Sequence, residues 1–99
     1  MYQKRWYTDF SRHYLRFFCR YTNPDFRKDE DEARYAACGT VIDSLDSKQA
    51  EIVKYLFEQK DHMDKNVENC AVEKGITTDE VYTVLFDVER AVAKEMNLI

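Results

Sequence analysis

Only three of the 99 residues, Pro24, Gly39 and Gly75, are proline or glycine, and that scarcity narrows the fold class more than any other feature. A sheet with several tight turns needs far more of this punctuation, and the β-branched residues do not gather in alternating runs. The chain therefore reads as all-α, one domain of four or five helices with a helix-turn-helix at its C-terminal end. A core is feasible in so short a chain because seven Tyr, six Phe and one Trp each bury a large area.

Hydrophobic spacing places the helices. Over residues 4–21, Tyr7, Phe10, Tyr14, Phe17, Phe18 and Tyr21 fall on one wide face at helical periodicity, and that aromatic stripe is expected to be core. Arg5, Arg12, Arg16 and Arg20 fall on the opposite face, with Asp9 among them. Three readings fit these arginines: a phosphate-binding surface, a solvated face, or a partner for the acidic remainder of the chain. Asn23-Pro24 breaks the helix, since proline donates no amide hydrogen and disfavours α conformation in the residue before it. A second helix should span residues 29–45. Asp29, Glu30, Asp31 and Glu32 suit its positive N-terminal end, and Ala37, Cys38, Val41, Ile42 and Leu45 are expected to be buried. Gly39 is placed to mark a close helix crossing. Asp46-Ser47-Lys48-Gln49 reads as a capping box, opening a third helix to about residue 59 that buries Ala50, Val53, Leu56 and Phe57. Residues 60–66 read as a polar connection.

The last third carries the most specific pattern. Residues 67–75 form a short helix ending at Gly75, where a helix-turn-helix needs a left-handed residue that glycine adopts without Cβ strain. Ala71 lies four residues earlier, where two helices approach and only a small side chain fits. Ile76 can point inward, and Thr77 or Thr78 can cap the next helix through Glu80 or Val81. Val81, Val84, Leu85, Val88 and Val92 then form an apolar stripe. The arrangement is Ala71–x3–Gly75–x5–Val81–x2–Val84.

On those residues, the C-terminal half (residues 44–99) resembles region 4 of sigma-70-type factors and the small ArpU- and RinA-type activators of Gram-positive phages. The resemblance covers the helix from Asp46, the segment from Val67 to Gly75 and the helix from Thr77 to Asn97. It divides the chain into an aromatic and basic helix (1–22), a second helix (29–45) and a helix-turn-helix unit (46–99). It implies a transcription regulator acting on DNA or on RNA polymerase, with the helix that starts at Thr78 entering the major groove. The groove-facing positions would be Thr77, Thr78, Asp79, Tyr82, Thr83 and Phe86, with Arg90 and Lys94 reaching the backbone later on the helix.

Charge complicates that implication. None of the groove-facing residues is Arg, Lys, Asn or Gln, the side chains that read base edges bidentately. Residues 1–22 hold five basic side chains against Asp9 alone, whereas residues 51–99 hold six basic and eleven acidic. Phosphate attraction supplies most non-specific affinity for DNA, so Arg12, Arg16 and Arg20 would have to lend their charge to the C-terminal half. The alternative is a protein-binding inhibitor of a nucleic-acid-processing host enzyme, a CRISPR nuclease for example. It would present Asp79, Glu80, Tyr82 and Phe86 on an acidic scaffold. Homodimerisation through the aromatic face is compatible with either role.

Other classes find little support. His13 and His62 are far apart and lack a recognisable catalytic partner, and no Gly-rich phosphate loop occurs, so no enzyme and no cofactor are expected. Cys19, Cys38 and Cys70 are odd in number and widely spaced, without a metal-ligand pattern, and read as free, buried or half-buried thiols. No run approaches a membrane span, and arginines interrupt any apolar leader. The expected location is the cytoplasm, the host's if the chain is phage-encoded.

Overall fold

In the computed structural model, which describes residues 5–21 and 25–99, five helices follow one another and no strand occurs among the described residues. They are α1 (Thr8–Arg20), α2 (Asp29–Asp43), α3 (Ser47–Glu58), α4 (Met63–Lys74) and α5 (Thr78–Glu95). The Asn23-Pro24 break and the helix start expected at residue 4 lie outside the described residues. Among those described, no helix is long and apolar enough to cross a membrane, and no group of three His, Cys, Asp or Glu is placed to hold a metal.

Local chemistry explains most boundaries. The α3 start is a complete capping box: the Gln49 amide donates to Asp46 Oδ1 at 2.8 Å and the Asp46 amide to Gln49 Oε1 at 3.4 Å, occupying two donors that a helix end leaves open. The four acidic residues occupy the first turn of α2, as expected. Helix α4 begins four residues before the expected position, at Met63. The cause is tertiary. Met63 and Asn66 are both buried, and the Asn66 side-chain amide donates to the carbonyls of Leu56 and Asp61, each at 3.2 Å. The bond to Leu56 ties the first turn of α4 to the last turn of α3, and the bond to Asp61 ties it to the connection between them.

The core is assembled from Leu15, Cys38, Val41, Ile42, Ile52, Val53, Leu56, Phe57, Val67, Cys70, Val81, Leu85, Val88 and Val92. Leu45, Ala50 and Val84 lie half-buried at its edge. Cys38 and Cys70 are buried and Cys19 is half-buried, all as free thiols. Burial pushes the Cys38 thiol up to about 12 and the Cys19 thiol to about 11.

Helix α1 does not bury the face its aromatics suggest. Its buried residues are Thr8, Ser11, Tyr14 and Leu15; Phe10 and Tyr21 are exposed, and Tyr7, Phe17 and Phe18 are only half-buried. The inward face is thus rotated by roughly 80°, at about 100° per residue, toward the arginines. Ser11 explains the rotation: its hydroxyl donates to the Glu89 carbonyl at 3.0 Å, so a small polar residue seats α1 against α5. The aromatics form a second, shallower cluster with α2, in which Phe17, Phe18 and Phe26 surround Tyr35 at centroid distances of 5.9, 4.9 and 5.2 Å. Gly39 marks the α1–α2 crossing, since a Cβ there would lie 3.1 Å from the Phe18 ring.

Candidate nucleic-acid interface

The turn between α4 and α5 has the expected local chemistry. Gly75 adopts φ 67° and ψ 36°, the left-handed region. Its amide donates to the Val72 carbonyl at 3.3 Å and the Ile76 amide reaches back to Ala71 at 3.0 Å, closing the last turn in a Schellman-type arrangement. Of the two candidate caps, Thr77 is the one used: its hydroxyl accepts from the Glu80 amide at 3.1 Å. Ala71 is buried, and Val81, Leu85, Val88 and Val92 carry α5 into the core. A three-residue turn therefore holds two helices in a fixed relation, with the N-terminal end of α5 at the surface.

That end is polar and acidic. Thr77, Thr78, Asp79, Glu80 and Thr83 are all exposed. Thr83 turns its hydroxyl back on its own helix, donating to the Asp79 carbonyl at 2.9 Å. Tyr82 and Phe86 are half-buried and stacked, with centroids 5.6 Å apart and planes 16° from parallel. The Tyr82 hydroxyl donates to Asp64 Oδ1 on α4 at 2.8 Å. Burial, then this bond to a carboxylate, pushes the phenol up to about 12. The pair is neither a fully open patch nor core. Arg90 and Lys94 are exposed but distant from the tip: at about 1.5 Å per residue, Lys94 lies roughly 24 Å along the axis from Thr78. Arg90 borders a depression between α1 and α5 with Arg5, Tyr7, Phe86 and Asp87.

The α1 arginines occupy a different setting from a solvated stripe, because the rotation of α1 turns them toward α5 and the α3–α4 connection. Arg12 pairs with Glu89, whose side chain is only 2% exposed. Burial raises the Glu89 carboxyl above its ordinary value, and Arg12 offsets this only in part. Arg20 donates from Nε to the Phe57 carbonyl at 3.0 Å and from Nη2 to the Gln59 carbonyl at 2.7 Å. A cation there satisfies carbonyls left open at the α3 C-terminus and meets the negative end of its dipole. Between them stands Arg16, half-buried, for which the described residues supply neither a hydrogen bond nor an ion pair. Its guanidinium is held below its ordinary value by burial and then by the charges of Arg12 and Arg20.

These three arginines line a groove of about 530 Å³ with Lys60, Asp61, His62 and Met63. Of the partners considered for the stripe, the acidic remainder of the chain thus takes Arg12, and helix carbonyls take Arg20. The groove separates the candidate residues into two groups. Arg12, Arg16 and Arg20 are brought together, while Thr77, Thr78 and Thr83 sit at the far tip of α5. Lys60 and His62 were hidden from sequence reasoning because only tertiary packing lays the connection beside α1. Glu89 left a trace: it follows Leu85 by four residues and so shares the buried face of α5.

A second groove, of about 420 Å³, lies between α3 and α5. Ile52, Ile76 and Val84 form its apolar part and Asp46, Asp79, Glu80 and Lys48 its rim. In comparisons with known proteins, no family model, no curated protein and no solved structure matches this chain.

Proposed function

We propose that the chain is a small, non-enzymatic transcription regulator of the helix-turn-helix type, of the kind phages and prophages encode, and that its partner is duplex DNA. The supporting observation is the basic groove: Arg12, Arg16, Arg20 and Lys60 line one surface beside the N-terminus of α4, the first helix of the unit. In this reading the α1 groove supplies the phosphate contacts and the tip of α5 contributes little, because Asp79 and Glu80 in its first turn repel a phosphate backbone. RNA polymerase is the other target compatible with such a regulator.

The test is a binding series with mixed-sequence duplex from low to moderate salt. Affinity should fall steeply, with a log–log slope of about 0.9 per phosphate engaged. Absence of binding at the lowest salt would refute direct action on DNA.

One observation favours a second reading, the protein-binding inhibitor. The groove between α3 and α5 has an apolar floor and three carboxylates on its rim, a surface suited to a basic protein segment. Stable complex formation with a purified nucleic-acid-processing enzyme, lost in Asp79→Lys, would support that reading over DNA.

A further inference from the structure

We infer that the groove between α1 and the α3–α4 connection contains a discrete site for a single phosphate group, centred on Arg16. The inference rests on the phosphate-contacting role given to α1 above and specifies which residues hold the anion.

Three observations converge on it. The first is an unbalanced charge. Arg12 is answered by Glu89, and Arg20 by two carbonyls at the end of α3. Arg16 lies between these cations, and no counter-charge among the described residues is in contact with it. Among the nearby carboxylates, Asp9 and Glu89 act on it only at longer range. A half-buried guanidinium in this position gains from an anion that supplies both charge and acceptor oxygens.

The second observation is the far wall. Lys60 and His62 face the arginines across the groove, with Asp61 as the carboxylate among the lining residues. Four permanent cations against one carboxylate leave the groove positive even with Glu89 behind Arg12. The third is the N-terminus of α4, a helix of 12 residues. It meets the groove at Met63, and its N-cap, His62, makes no side-chain cap. The positive end of a helix dipole with open amides favours a phosphate. At about 530 Å³ the groove is far larger than a phosphate ion, so it can hold the group together with the nucleoside or chain to which it is esterified.

Phosphate could reach this site as a backbone phosphodiester or as a small phosphomonoester. The fit is chemical in both cases, so the test uses inorganic phosphate and pyrophosphate beside a duplex. Amide and arginine Nε–H signals of the full chain would be followed by NMR, at constant ionic strength maintained with chloride. Saturable shifts at Met63, Asp64 and the Arg16 side chain are expected. They should weaken about tenfold or more in Arg16→Gln, as loss of one charge-assisted hydrogen bond implies, and about threefold in Lys60→Gln, whose exposed charge acts through a solvent-screened attraction. Neither side chain makes a hydrogen bond to the described residues, so both variants should keep the wild-type urea midpoint.

Shifts that track ionic strength alone, or that survive Arg16→Gln, overturn the site. Duplex binding without phosphate shifts or phosphate competition overturns the site and leaves the DNA reading intact. Saturable phosphate binding without duplex binding keeps the site, assigns it a small phosphate ester and removes the DNA reading. Displacement of phosphate by a glutamate-rich peptide at lower concentration overturns it in favour of a protein carboxylate.

Discussion

Replacing Arg12 by alanine leaves Glu89 as an uncompensated carboxylate beneath α1, and the structure sets the scale of the damage. Breaking a buried ion pair by removing one partner typically costs about 3–5 kcal/mol. Here the Arg12 side chain is 18% exposed, and Arg16 already acts on Glu89, so water and a second cation soften the loss to roughly 2–3 kcal/mol. A domain of this size has a total stability of only about 5–15 kcal/mol. With a urea slope near 1–1.5 kcal/mol per molar, the midpoint should fall by about 2 M. The loss must also depend on pH. Burial already holds the Glu89 carboxyl above its ordinary value against the pull of Arg12 and Arg16, and removing Arg12 raises it further. Between the unfolded value and that raised folded value, the folded state binds the proton that the unfolded state has released. Stability therefore falls as pH rises through that window. The Arg12→Ala deficit should be largest near pH 8 and should shrink toward pH 5 in urea titrations. An unchanged midpoint at pH 8, or a deficit that grows on acidification, would refute this account of how α1 is seated. Glu89→Gln, which retains an acceptor for Arg12, should lose only about 1 kcal/mol and flatten the pH dependence.

Gly75→Ala places a Cβ in open space, with nothing within 4 Å, at a φ of +67°, so only backbone strain opposes it. A loss of about 1 kcal/mol is expected, a fall of roughly 4–8 °C in Tm; no change in Tm would contradict the left-handed turn. Because the Cys38 and Cys19 thiols sit at about 12 and about 11, and Cys70 is buried, native protein at pH 7.5 should resist iodoacetamide until urea unfolds it. Rapid alkylation of Cys38 or Cys70, detected by mass spectrometry of the native protein, would show that the core is not closed as described.

The elements that were legible in the sequence are those with local causes. The Asp46–Gln49 box, Gly75 and the threonine cap of α5 follow from bonds made within a few residues, and the acidic start of α2 from the local field of its own helix end. Misread features depend on distant partners. Thr8 and Ser11 are polar letters that are nevertheless buried, Ser11 seating α1 on α5, and the aromatic stripe beside them carries a stronger but misleading signal. Met63 and Asn66 join α4 with help from the Leu56 carbonyl in α3, a partner that no window on residues 60–66 contains. The basic groove was half-visible for the same reason. Helical periodicity aligns Arg12, Arg16 and Arg20, but only the fold sets Lys60 and His62 beside them and shows that, of the three, Arg16 has no hydrogen-bond or ion-pair partner among the described residues.

The central claim, that phosphate is met by the α1 groove and not by the tip of α5, is tested most directly by comparing two double variants in duplex binding across a salt series. Arg16→Gln with Lys60→Gln should weaken binding to all sequences alike and reduce the salt slope by about 1–2. Thr78→Ala with Thr83→Ala should leave affinity and slope within about twofold of wild type. The opposite pattern, binding abolished by the threonine pair and untouched by the groove pair, would contradict the account and return recognition to α5.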